Sequence, residues 1–258
     1  MTPCSPFTYP PGCQNPMRST PRFVLFQARE HNDPMLAHEV DCFLRHLDLT
    51  LDELETFQVL ERPETEGDAL LSDPQLRALI GGSGDYSIST GGPPRLERFV
   101  RELIPQLVER QVPTFGSCWG LHALVKGLGG RVERRGVSEV GTFEVRLTPG
   151  VADPLLAELP ARFMAQMGHH DWVVELPAGA TPLCENDESP YQAVRFGDGP
   201  VYGLQFHAEL TYDDNRRRYL HYIHHYGDPN NVDAGLSKFS RSSHANTLLR
   251  RFKALFSS

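Results

Sequence analysis

The chain of 258 residues contains no run of about 18 apolar residues, so no segment reads as a membrane-spanning helix. It lacks a basic start followed by an apolar stretch, so MTPCSPFTYPPGCQNP does not read as a secretory signal. There is no excess of basic residues. The 25 Lys and Arg stand against 33 Asp and Glu, a formal net charge of −8, which argues against nucleic acid as the main partner. No internal repeat is present, and no linker divides the body in two. Disulfides are not required either, because a chain this long buries about 70% of its unfolded surface. The five cysteines are odd in number and scattered, which fits a reducing cytoplasm. What remains is an acidic globular protein of enzyme size.

Residues 1–21 are rich in proline, lack periodicity and are expected to form a disordered tail. Residues 22–258 are expected to form one domain. Residues 23–26, 56–60, 76–80 and 112–115 read as strands. Asp33 and Pro34 read as the start of a helix carrying Leu36, Val40, Phe43, Leu44 and Leu47. A second helix carries an apolar stripe from Leu96 to Leu107, and a third runs from about 121 to 128, ending at Gly129-Gly130. This alternation predicts a parallel sheet covered on both faces. Segments 139–147, 162–167, 181–185, 191–196 and 200–206 then read as strands with short turns, suggesting antiparallel additions. Two helices follow, one over about 214–226 and one carrying Leu248, Leu249, Phe252, Leu255 and Phe256.

Cys118 falls between a strand and a helix, in Val112-Pro113-Thr114-Phe115-Gly116-Ser117-Cys118-Trp119-Gly120-Leu121. Glycines stand two residues before and two after it. This is the thiol form of a nucleophile elbow, which lifts the side chain above the C-terminal edge of the sheet. The helix N-terminus behind it is expected to favour the thiolate. Val201-Tyr202-Gly203-Leu204-Gln205-Phe206-His207-Ala208-Glu209 reads as a strand delivering His207, with Glu209 two residues on. An imidazole can take the thiol proton and return it to a leaving amine, and a carboxylate can orient the imidazole. Each pattern alone has an ordinary reading: a buried cysteine in a βα turn, and a solvated strand end.

Together, G-S-C-W-G and G-L-Q-F-H-A-E resemble the class I (triad-type) glutamine amidotransferases, with Cys118 and His207 89 residues apart. The likeness is to the glutaminase domain of GMP synthase and to its stand-alone relatives, over about residues 22–258. It implies a flavodoxin-like α/β fold: a central, mostly parallel sheet flanked by helices, with an additional antiparallel region. It implies a triad of Cys118, His207 and Glu209. By the same likeness, backbone N–H groups of Gly82 and Trp119 form the oxyanion hole. Gly168, His169 and Asp171, in Met167-Gly168-His169-His170-Asp171-Trp172-Val173, line the substrate pocket together with His122. Taken alone, His169-His170-Asp171 reads as a polar loop. The chemistry needs no metal or organic cofactor. The implied ligand is glutamine or a γ-glutamyl compound. Because the likeness occupies residues 22–258, a separate synthetase subunit is implied as ammonia acceptor.

Two positions depart from the family pattern. His122 stands where glutamine is usual, four residues after the nucleophile, and Ala208 stands where proline is common. Three functions stay open: a glutaminase, a γ-glutamyl amide hydrolase with the same triad, and a non-catalytic regulatory subunit. A phosphate loop at Gly82-Ser83-Gly84 is disfavoured because no G-K-[ST] follows. His221, His224 and His225 share a helical face but read as solvated rather than metal-binding. Arg216-Arg217-Arg218 reads as a solvated face, with docking of an acidic partner as the alternative. Cys4, Cys13 and Cys42 have no catalytic context, and Cys184 reads as packing.

Overall fold

The computed structural model describes residues 20–257. The expected tail, with Cys4 and Cys13, lies almost wholly outside the described residues.

The chain alternates strand and helix through its first half. β1 (Arg22–Gln27) leads to α1 (Met35–Leu47), β2 (Leu54–Gln58), α2 (Glu64–Leu71) and β3 (Leu76–Ile80). The helical segments α3 (Pro94–Arg98), a π turn (Phe99–Leu103) and α4 (Ile104–Glu109) follow, then β4 (Thr114–Ser117) and α5 (Trp119–Gly127). The single stripe from Leu96 to Leu107 thus contains a π turn. Pro105 explains it: a proline cannot donate and its ring crowds the carbonyl four residues back, and here Ile104 N–H reaches back five residues to Phe99. At α1, Asp33 Oδ1 accepts from Met35 N–H at 2.8 Å, satisfying a donor of the first turn.

The second half adds β5 (Arg131–Leu147), β6 (Arg162–Glu175), β7 (Ala180–Glu185), β8 (Ala193–Phe196) and β9 (Val201–Leu204). It closes with α6 (Tyr212–His221), α7 (Ile223–Tyr226), α8 (Val232–Leu236) and α9 (Thr247–Phe256). The expected helix over 214–226 is therefore two, divided at Tyr222. The 168–171 segment is strand, inside β6, and not a loop.

Among the described residues the nine strands form one sheet in the order β2-β1-β3-β4-β9-β8-β7-β5-β6. The first five in this order run parallel, and β9 joins the antiparallel β8 on its other side. The order 2-1-3-4-9 is the flavodoxin-like winding with its last strand supplied late in the chain. β9 is thus a parallel core strand, not an antiparallel addition. Its sequence could not reveal this, because strand direction depends on the partner.

The central parallel strands are buried on both faces, with every residue of β3 and β9 buried, whereas the edge strand β2 keeps Glu55, Thr56 and Gln58 half-buried. One face packs Phe26, Phe57, Phe99, Trp119 and Leu124. The other packs Leu25, Phe43, Leu47, Phe115 and Phe252. Among the described residues no helix is long and apolar enough to cross a membrane. The sheet leaves the C-terminal ends of β1, β3, β4 and β9 side by side, which is where ligands bind in this architecture.

Candidate active site

Cys118 sits between the end of β4 and the start of α5, with φ 48° and ψ −97°. A positive φ is uncommon for a residue with a Cβ, and the fold holds it in place. Cys118 N–H donates to Leu204 O at 2.7 Å, tying the turn to the end of β9. The flanking glycines are required by close approach. A Cβ on Gly120 would lie 2.6 Å from Ile80 O, and one on Gly116 would lie 2.8 Å from the Gly120 carbonyl carbon. Helix and strands can therefore close around the thiol only if both positions lack a side chain.

His207 follows β9, and its N–H donates to Gln166 O on β6 at 2.8 Å. Its ring Nδ1 lies 2.7 Å from Glu209 Oε1. Glu209 is fully buried. Burial alone would raise its pKa. The His207 charge and hydrogen bond, Arg218 and a Ser117 hydroxyl outweigh this and hold it down to about 2. As an ionised carboxylate it only accepts, so His207 Nδ1 carries the proton and Nε2 is left to act as a base. Cys118 and His207 line one cavity of about 50 Å³.

The thiol itself is protonated at rest. Burial, then the Glu209 charge, push Cys118 up to about 12, despite the opposing Arg218 charge and the Trp119 N–H. The helix N-terminus was expected to favour the thiolate, but desolvation wins. Among the described residues its other polar neighbours are Gly168 O and Gln205 Nε2, each at 3.9 Å.

The expected substrate residues line a second cavity that opens from Cys118. Asp171 is buried, accepting from Ser87 Oγ at 2.6 Å, Ser89 N–H at 2.9 Å and Ser89 Oγ at 2.7 Å. Burial would raise its pKa, but these bonds hold it below the ordinary value. His122 Nε2 donates to Gln205 Oε1 at 2.8 Å, and burial pushes its pKa down to about 4, so the ring is neutral. Gly168 borders both cavities. His169 reaches the wall with both nitrogens occupied: Nδ1 is 2.9 Å from Asp171 O and Nε2 is 3.0 Å from Glu139. It supports the wall rather than offering a donor. Arg134 stands at the rim with no ion-pair partner among the described residues.

The glycine turn differs from expectation. Trp119 N–H turns to the Cys118 sulfur. Gly82 N–H instead donates to the buried Glu39 Oε1 at 2.8 Å. That donor is engaged because α1 drives a carboxylate under the turn: a Cβ on Gly81 would meet the Glu39 carboxyl at 2.6 Å.

Several participants escaped the sequence reading. Ser117 and Gln205 lie inside the quoted motifs, so adjacency to Cys118 and His207 was an available signal. Arg218 was hidden in a basic triplet that reads as solvated. It is buried, and its Nη1 donates to Glu209 Oε1 at 3.2 Å. Ser87, Ser89 and Glu39 carried no local signal. His221 and His225 face Asp33 and Asp85 separately. Among the described residues, metal-type side chains converge instead at His38, Cys42 and Asp214. There Asp214 also serves Arg45 and caps α6 through Thr211.

Comparison with known proteins follows the same lines. Residues 47–224 match the family model described as glutamine amidotransferase class-I. The chain is 34% identical over 167 residues to GMP synthase [glutamine-hydrolyzing] of Thermus thermophilus, covering 63% of this chain and 30% of that protein. It is 37% identical over 126 residues to the Thermosipho africanus GMP synthase, covering 48% and 24%. The chain thus spans about a quarter to a third of the length of these relatives. The structure superposes on a glutamine amidotransferase from Thermotoga maritima with a TM-score of 0.60 at 20% identity, covering 92% of this chain and 99% of that one. A glutamine amidotransferase from Methylobacillus flagellatus gives 0.64 at 17% identity, covering 91% and 93%. The chain belongs to the class I glutamine amidotransferase family.

Proposed function

We propose that the protein hydrolyses the γ-carboxamide of glutamine through a Cys118 thioester. The supporting observation is a nucleophile on a strained elbow, opening on the same cavity as His207, whose ring is backed by the buried Glu209. Asp171 receives the α-ammonium of the substrate, and Arg134 at the rim receives its α-carboxylate. His207 Nε2 takes the thiol proton as sulfur attacks the amide carbon. Trp119 N–H donates to the oxygen that becomes charged. Gly82 N–H joins it only if it exchanges Glu39 for that oxygen. His207 then gives its proton to the departing nitrogen, the C–N bond breaks, and ammonia leaves a γ-glutamyl thioester. Water, losing a proton to His207, attacks the thioester. The C–S bond breaks, the proton returns to sulfur, and glutamate departs.

By this reading a separate synthetase receives the ammonia, as the kinship with GMP synthases suggests.

The test measures ammonia and glutamate release from glutamine and from a panel of γ-glutamyl amides, with Cys118→Ala as control. Glutamine turnover that vanishes in the control is expected. Turnover of other γ-glutamyl amides alone would move the function to that hydrolase. No turnover, and no labelling of Cys118 by a glutamine-like electrophile, would leave a non-catalytic subunit.

A further inference from the structure

Arg218 is 6% exposed and lies between two buried carboxylates. Its Nη1 donates to Glu209 Oε1 at 3.2 Å, and its Nη2 lies 3.6 Å from Glu39 Oε1. The same Glu39 oxygen accepts from Gly82 N–H at 2.8 Å and from Arg29 Nη2 at 3.1 Å. Gln27 Nε2 donates to the other Glu39 oxygen at 3.0 Å. One guanidinium therefore spans from the carboxylate behind His207 to the carboxylate under the glycine turn. Two buried guanidiniums and two buried carboxylates alternate along this line, so none can be removed without stranding a charge. Arg218 Nε and Nη2 make no hydrogen bond. At 3.6 Å its Nη2 is within ion-pair reach of Glu39 but beyond hydrogen-bond length, so a small shift of the guanidinium tightens one neighbour and loosens the other.

We propose that Arg218 is a positioning residue that couples the carboxylate of the Cys118–His207–Glu209 unit to the glycine turn after β3. The coupling rests on that unit being the reactive one, but not on glutamine being its substrate. If Arg218 is drawn toward Glu39, Glu209 and the thiol lose positive charge. If Glu39 lets go, Arg218 turns to Glu209 and the Gly82 N–H is freed at the same time. Proton demand at the nucleophile and availability of the oxyanion donor change together.

Other groups face this unit. Glu39, Cys42 and His46 come from α1, and Arg29 follows β1. Tyr222 and Tyr226 flank it from the α7 side, and Asp171 on β6 acts on Cys118. Burial pushes Cys42, Tyr222 and Tyr226 up and His46 down, so all four are neutral near pH 7. Arg218 is thus a cation that acts on both Glu209 and Cys118.

The experiment is the rate of Cys118 alkylation by iodoacetamide on the full chain at about pH 8, well below the range where the thiol itself titrates, with occupancy of the Cys118 peptide read by mass spectrometry. It requires no turnover, so it stands apart from the glutaminase assay. Arg218→Met is expected to hold the thiol proton more tightly by about one pH unit or more, which slows alkylation about tenfold. Arg218→Lys keeps the charge and returns most of that rate. Glu39→Gln removes the competing negative charge and speeds alkylation. Because Glu39 acts through Arg218, the gain from Glu39→Gln is expected to disappear when Arg218→Met is also present. A gain of equal size in the double variant, which two independent charges would give, overturns the proposal. If Arg218→Met does not fold, the Glu39→Gln rate decides, and a wild-type rate there overturns it.

Discussion

Ser117 Oγ donates to Glu209 Oε2 at 2.7 Å. The strand that leads into Cys118 therefore also anchors the Glu209 carboxylate, which arrives 92 residues after Ser117 in the chain. The other Glu209 oxygen serves His207 and Arg218. Ser117→Ala removes one of these donors and leaves a buried acceptor short of a partner. We expect kcat for glutamine to fall about tenfold with KM within about twofold, as for an interaction felt in the transition state. Steady-state kinetics on the two proteins checks this.

Acid should weaken the fold as buried groups held below their ordinary pKa values are forced to take up protons, His122 and Glu209 among them. His122 is held at about 4 against an ordinary 6.5, and Glu209 at about 2 against 4.5. In both cases the unfolded chain takes up the proton first as pH falls, so stability declines with it. The His122 contribution is lost as pH falls from 6.5 toward 4, and the Glu209 contribution as it falls from 4.5 toward 2. Each is worth on the order of 3 kcal/mol. Thermal melts between pH 7 and pH 4 should show a steady drop in Tm. His122→Gln should reduce the drop above pH 4.5, leaving the part due to His46 and His170, which burial also pushes down, and an unchanged slope in that variant would count against the assignment.

Gly120→Ala would place a Cβ 2.6 Å from Ile80 O. Backbone cannot yield as a side chain end can, so α5 must shift away from β3. We expect a loss of about 1–3 kcal/mol in denaturant unfolding and a kcat for glutamine about a hundredfold lower, because a displacement of about 1 Å at the reacting atom costs that much in turnover. Wild-type turnover in a folded Gly120→Ala protein would contradict the role given to the elbow.

Ser89→Ala removes the hydroxyl bond to Asp171 while leaving the Ser89 N–H bond in place. Asp171 is proposed to hold the substrate ammonium and takes no part in bond breaking. KM for glutamine should rise about tenfold with kcat nearly unchanged, the pattern of lost uniform binding. A fall in kcat alone would place Asp171 in the chemistry instead.

Legibility from the sequence followed how local each cause was. β3 was read at its true bounds, 76–80, because a short apolar run buried on both faces needs no partner to be recognised. The elbow was legible because its glycines and cysteine are contiguous. β2 was read two residues late, since Leu54 and Glu55 pair with β1 only through register. The direction of β9 was misjudged because it is set by β4, more than eighty residues earlier. Arg218 illustrates the limit most directly: three arginines in a row look alike until α6 docks and turns only the third onto Glu209.

The sequence by itself determined the family, the alternation of strand and helix, and the three residues of the expected triad, because motifs and apolar periodicity are local in the chain. Tertiary structure alone decided the charge state of the site. Burial lifts the Cys118 thiol against the pull of its helix, and Glu39 occupies the Gly82 N–H. It also decided that Arg29 and Arg218 would join carboxylates from α1 and the β9 end into one buried line. Desolvation and ion pairing depend on what surrounds a group in three dimensions, and those neighbours come from segments far apart in the chain.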